Sequence, residues 1–254
     1  MKYTYPSSIL SLLELIIVPF IITSLVCMPL LFHNVDDGIL GIVMISIYGF
    51  IMFIYIWFKN KRRVNFDFIL KLPDLVFVCL SVLFLLFFML GIIVPFKSIL
   101  NIGFEEGGST VEIFSAFAFG AILIGPIVEE FLFREIILTT LLRNYGGKWA
   151  LPISSVLFAL VHIHPAQIVI AFILGLILGY LFIKTKSLTF VILLHSVSNL
   201  SSLLIGEYMM ISSFSSVGNG YMIYGEWTFY IIGIAILFTG FLAVRLYKIV
   251  LSIS

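Results

Sequence analysis

The sequence predicts an all-α fold: a polytopic transmembrane helical bundle of about eight spans with both termini cytoplasmic. Three observations predict it. Of 254 residues, 62% are hydrophobic and only 11% charged, against roughly 45–50% and about 25% in soluble domains. Mean hydropathy is +1.23. The apolar residues also gather into runs near the ~20 residues that a helix needs to cross a hydrocarbon layer about 30 Å thick. A water-soluble globule with so little polar surface could not cover itself, which excludes a soluble enzyme, a nucleic-acid-binding module and a disordered chain. The net charge of +1 carries no polyanion-binding signal, and no Lys/Arg block reads as a nucleic-acid patch. The expected surroundings are the lipid bilayer of the cell membrane, crossed several times, with no nucleic acid partner.

The spans fall in order at 9–32, 39–58, 75–95, 113–142, 149–163, 165–183, 187–205 and 227–247. The first has a weak positive start at Lys2 and no small-residue cleavage signature, so it reads as a retained span and not a removed signal peptide. Cys27 in the first span and Cys79 in the third read as small buried hydrophobes with no metal-type spacing. The fourth is long and contains Pro126, which predicts a kink or a re-entrant half. The fifth is short and meets the sixth at His164-Pro165, the pattern of a tight helical hairpin or a shallow span. Between the seventh and eighth, Ser212–Gly220 reads as a flexible outer loop. Three units follow: N-terminal helices over 1–112, a polar-residue-bearing core over 113–205, and an outer loop with the last helix over 206–254.

Orientation follows from the basic residues. Twelve of the 14 Lys and Arg lie in segments that fall on one side, while Asp36, Asp37, Glu105, Glu106, Glu112, Glu207 and Glu226 fall on the other. The positive-inside rule then places both termini in the cytoplasm.

The informative residues are those whose polarity is expensive. A charge at the bilayer centre costs about 2.5–3.5 kcal/mol on insertion scales, yet Glu129, Glu130, Arg134 and Glu135 crowd into one span. Glu130 and Arg134 are spaced i,i+4 and are expected to pair on one helix face. Glu129 points about 100° away, so its partner must come from another helix. Candidates are His162, at the end of Phe158–His162, and His195 with Asn199, again i,i+4. Glu129 and His162 each lie 14 residues from the nearest cytoplasmic basic residue, His195 lies 9 and Asn199 lies 13. At 1.5 Å per residue these are depths of roughly 21, 21, 14 and 20 Å. Three helices therefore bring a carboxylate, two imidazoles and a carboxamide to nearly one level, a polar reaction chamber. His33 and His164 look peripheral, and Gly175 with Gly179 fits close helix approach.

These residues resemble a known family. Glu129-Glu130-Phe131-Leu132-Phe133-Arg134 is similar to the E-E-x-x-x-R motif of the CPBP family, the CAAX proteases and bacteriocin-processing enzymes also called ABI; Phe158–His162 is similar to its F-x-x-x-H motif, and His195–Asn199 to its third, H-x-x-x-N. The likeness covers residues 113–205, with motif order and spacing agreeing. One departure is Glu135, where the family usually has a small residue. The resemblance implies an intramembrane endopeptidase whose catalytic residues are Glu129, His162, His195 and Asn199. Glu129 would activate a water, because burial raises a carboxyl pKa toward useful values. His162 would hold that water and return a proton to the leaving amine. His195 and Asn199 would donate to the oxyanion, and Glu130 and Arg134 would fix the helix face. No cofactor is expected. Two His and one Glu form a possible zinc set, but Asn199 is a poor zinc ligand and H-E-x-x-H is missing. The implied partner is a peptide or lipid-anchored protein cut near the cytoplasmic leaflet, in peptide maturation, CAAX-type processing or bacteriocin self-immunity. The alternative is a non-catalytic immunity or regulatory scaffold. A proton-coupled transporter is disfavoured by the lack of an inverted repeat.

Overall fold

The structure is a computed structural model, which describes residues 5–33, 35–60, 72–99, 115–162, 165–213 and 224–253. Eight helices account for them, and no strand occurs among the described residues. They are α1 (Ile9–Cys27), α2 (Asp37–Lys59), α3 (Leu75–Phe96), α4 (Ala116–Tyr145), α5 (Gly147–Leu160), α6 (Pro165–Thr185), α7 (Leu188–Ser213) and α8 (Thr228–Ile253). Seven are long and apolar enough to cross a membrane; α5 is the short one. At 14 residues it spans about 21 Å, less than the hydrocarbon thickness. The chain is thus an all-α multi-pass membrane protein, close to the expected set of spans.

Helix starts are set by short polar side chains, which accept from the first backbone N–H groups left without an intrahelical partner. The Ser8 hydroxyl accepts from the Ser11 backbone, and Asp36 Oδ1 accepts from the backbones of Gly38 and Ile39, both at 3.0 Å. Asp74 and Ser115 do the same for Phe77 at 3.0 Å and Ala118 at 3.1 Å. Helix α4 runs through Pro126 as one continuous helix, not as a re-entrant half. Proline removes one backbone donor and crowds the preceding turn, and here the turn before it, Gly120–Ile124, widens to π geometry. A second wide stretch, Phe131–Leu138, follows the acidic pair.

Helix α4 is the centre of the bundle. It packs against α2 on one side and against α5 and α7 on the other, while α3 and α8 pair with each other and α1 covers α2. The α5–α6 pair is an intimate hairpin. A Cβ placed on Gly175 would lie 3.2 Å from the Ser155 Cα, so glycine is what allows the two backbones to approach.

One end of the bundle carries the basic residues. There the Tyr5 backbone and the Asn60 carboxamide exchange two hydrogen bonds of 2.9 Å, Arg143 donates to the Pro6 carbonyl at 3.1 Å, and Asn144 to that of Ser7 at 2.9 Å. Lys59 pairs with Glu14 at 2.8 Å. The ends of α2 and α4 and the start of α1 therefore share one level, as the charge pattern expects. His164 and most of the Ser212–Gly220 loop lie outside the described residues, as do Lys61, Arg62, Arg63, Lys71, Glu105, Glu106 and Glu112.

Candidate active site

The acidic pair on α4 divides into two roles. Glu130 is fully buried, and its Oε2 lies 2.9 Å from Nε of Arg134, itself 1% exposed, in the expected i,i+4 ion pair. The guanidinium also lies over the Phe158 ring, 4.5 Å from its centroid, so the buried cation has both an anion and an aromatic face as neighbours. Glu129, one residue earlier and a third of a turn away, keeps 27% of its side chain exposed.

The partner that Glu129 needs comes from α7. His195 stands between the two carboxylates: its Nδ1 is 2.8 Å from Glu130 Oε1, and its Nε2 is 3.9 Å from Glu129 Oε2. A carboxylate only accepts, so Nδ1 carries the hydrogen and donates it to Glu130. That contact fixes the ring and turns Nε2 toward Glu129, the arrangement by which a buried carboxylate orients a working imidazole. Sequence spacing expected the Glu130–Arg134 pair but not this link, because i,i+4 arithmetic is blind to contacts between helices. The one available signal was that Glu130 has a second oxygen to satisfy once Arg134 has taken the first.

His162 lies just past the end of α5. Its Nδ1 is 3.0 Å from the Phe158 carbonyl oxygen, so in the neutral ring Nδ1 donates and Nε2 is left as an acceptor. Phe158 presents its ring to both imidazoles, with centroid separations of 5.2 Å to His162 and 5.8 Å to His195. Asn199, one turn after His195, uses one amide hydrogen on the Ala121 carbonyl at 2.8 Å. Ala121 belongs to the wide turn of α4, where a carbonyl is freed from the regular ladder. Asn199 thus ties α7 to α4 and retains a second amide hydrogen.

Glu129, His162, His195 and Asn199 all line one cavity of about 390 Å³, the lower part of the range typical of ligand sites. Its remaining walls are mostly apolar and small, with Gly41, Ile45, Gly120, Gly125, Ala171 and Leu174 among them. The spacing argument placed these four side chains at one level, and the structure brings them around one space. Glu130 and Arg134 lie behind that wall. Glu135 is buried away from the cavity, toward the basic end, and Lys186 in the α6–α7 turn feels its charge. His33 is exposed beyond α1. Among the described residues, no three His, Cys, Asp or Glu side chains are grouped so that they could hold a metal ion. His195 commits Nδ1 to Glu130 and His162 commits Nδ1 to a carbonyl.

Comparison with known proteins points the same way. Residues 111–201 match the family described as type II CAAX prenyl endopeptidase Rce1-like. The chain is 32% identical over 77 residues to "Putative membrane peptidase YdiL" of Bacillus subtilis (strain 168), covering 30% of this chain and 32% of that protein. It is 33% identical over 89 residues to the membrane-embedded CAAX protease MroQ of Staphylococcus aureus (strain USA300), covering 33% of this chain and 36% of that protein. The matched part is about a third of the length of either relative. No solved structure matches.

Proposed function

We propose that the chain, whose residues 111–201 match the type II CAAX prenyl endopeptidase Rce1-like family, is a CPBP-type intramembrane endopeptidase using a glutamate-activated water. The observation that carries this reading is the split between the two acidic neighbours. Glu130 is spent on Arg134 and His195, whereas Glu129 reaches the cavity with no ion-pair partner among the described residues closer than the 3.9 Å of His195 Nε2.

Glu129 takes a proton from a water whose oxygen attacks the carbonyl carbon of the scissile peptide bond. His162 accepts a hydrogen bond from that water at Nε2. The oxyanion that forms is met by the free amide hydrogen of Asn199 and by His195 when Nε2 carries a proton, with Glu130 holding the ring from behind. As the carbon–nitrogen bond breaks, the proton held by Glu129 passes to the leaving amine, with His162 as the relay. The products are one new carboxyl and one new amino terminus, and no cofactor enters. The substrate is a membrane-associated peptide or protein; MroQ, by its name a CAAX protease, favours this class.

The test compares peptide termini from cells with the wild type, a deletion, and Glu129→Gln at matched abundance. Loss of the same termini in both altered strains is expected. A deletion phenotype rescued fully by Glu129→Gln, with no terminus changed, overturns the catalytic reading in favour of a scaffold.

A further inference from the structure

Among the described residues, the chamber is backed by buried side chains toward the basic end, and much of its remaining lining lies toward the opposite end. Toward the basic end the floor is closed by Glu130, Arg134, Phe158 and Leu194, all essentially without exposure. Below them α4 continues buried through Leu138, and α7 above Leu194 begins with buried Phe190 and Val191. Away from the basic end the cavity walls are the first turns of α2 at Gly38 and Gly41, the first turn of α4 at Phe117, the start of α6 at Gln167, and Ser202 on α7.

Helix arithmetic places this mouth. Gly41 lies 18 residues before Lys59, and Ser202 lies 16 after Lys186, which is about 27 and 24 Å along the helix axes. In a hydrocarbon layer about 30 Å thick, the mouth is at the far boundary. Its wall is also free of packing at one point: a Cβ on Gly41 would meet no atom within 4 Å.

Resting on the endopeptidase reading, we propose that the peptide bond is delivered from the face opposite the basic loops, the outer face when the basic loops are cytoplasmic as the positive-inside rule places them. The substrate is then a short extended segment presented at the outer half of the bilayer. The cavity volume excludes a folded substrate, and the apolar walls select uncharged side chains beside the bond. Delivery near the cytoplasmic leaflet, expected from the family resemblance, would require passage through that buried layer.

Accessibility tests this without using activity. In a chain with Cys27→Ala and Cys79→Ala, Gly41→Cys is exposed to the charged, membrane-impermeant thiol reagent MTSET added to intact cells. Lys148→Cys, between α4 and α5, reports the basic end. The expected result is modification at position 41 in intact cells and at position 148 only after permeabilisation. Modification at 41 only after permeabilisation, or not at all, overturns the proposal. Because the label is read by mass, it can be scored equally in a Glu129→Gln background. Unchanged termini in that variant would refute the catalytic reading while leaving the access result standing, and the reverse combination would refute the access route alone.

Discussion

Glu130→Gln and Glu129→Gln remove one charge each from neighbouring positions, and the structure predicts opposite consequences. Glu130 is the anion for a guanidinium that is 1% exposed. Removing one partner of such a pair leaves an uncompensated buried charge, at a cost of about 3–5 kcal/mol. The Phe158 ring beneath Arg134 stabilises a desolvated cation by about 2 kcal/mol, but that contact exists in the wild type as well and does not reduce the difference. The bond from His195 to Glu130 weakens too, because a neutral acceptor replaces a charged one. For a chain of this length, 1 kcal/mol corresponds to roughly 2–4 °C in unfolding temperature, so Glu130→Gln should lower it by about 10 °C. Glu129 is partly exposed and its nearest ion-pair partner is 3.9 Å away, so Glu129→Gln should cost under about 1 kcal/mol. The assay is thermal unfolding of detergent-purified protein, with processing of the natural peptide measured in parallel. Glu129→Gln should be stable and inactive, and Glu130→Gln unstable and inactive. Adding Arg134→Met to Glu130→Gln removes the stranded charge and should recover most of the lost stability without recovering processing, because His195 still lacks its anionic acceptor. Equal stability of the two single variants, or processing restored in the double variant, refutes the division of roles.

Three further outcomes follow from the same geometry. Asn199→Ala loses both the Ala121 tie and an oxyanion donor, so turnover should fall about 100- to 1,000-fold with little change in KM; a fall in abundance alone would reduce Asn199 to a clamp. Gly175→Val should sharply reduce folded protein, because the added carbons meet the Ser155 backbone, whereas Gly179→Ala meets only the end of Leu151 and should be tolerated; comparable abundance of the two would refute the close approach at Gly175. Burial holds the Lys186 ammonium below its ordinary value, opposed by the Glu135 carboxylate. The folded state then binds fewer protons than the unfolded one, so stability should rise as pH rises through the window below the ordinary lysine value of about 10.4. Unfolding temperatures at pH 8 and pH 10 should show that slope in the wild type and a smaller one in Lys186→Met; identical slopes refute it.

What the sequence could reveal is set by the range of the physics. Hydrophobic run length is local, so the order and approximate extent of the spans were legible, although the last two helices run several residues beyond them, and the short fifth helix stood out for the same reason. The Glu130–Arg134 pair was legible because i,i+4 contacts are fixed by one helix. Depth was legible from basic residues that mark a common boundary, which is why Glu129, His162 and Asn199 emerged together. Side-chain azimuth between helices was not, and there His195 proved to stand between both carboxylates. Nor was the backbone response to Pro126, where the structure forms a continuous helix with a widened turn and not the alternative of a re-entrant half. That turn supplies the Ala121 carbonyl bound by Asn199. A proline read only as a helix breaker thus sits next to the turn that fastens the third motif to the first. The depth count also bears on the proposed access route: residues about 20 Å from the basic boundary lie beyond the middle of a 30 Å layer. The family resemblance pointed instead to the cytoplasmic leaflet, and it was the buried layer between the site and the basic end that prompted the proposal of entry from the opposite face.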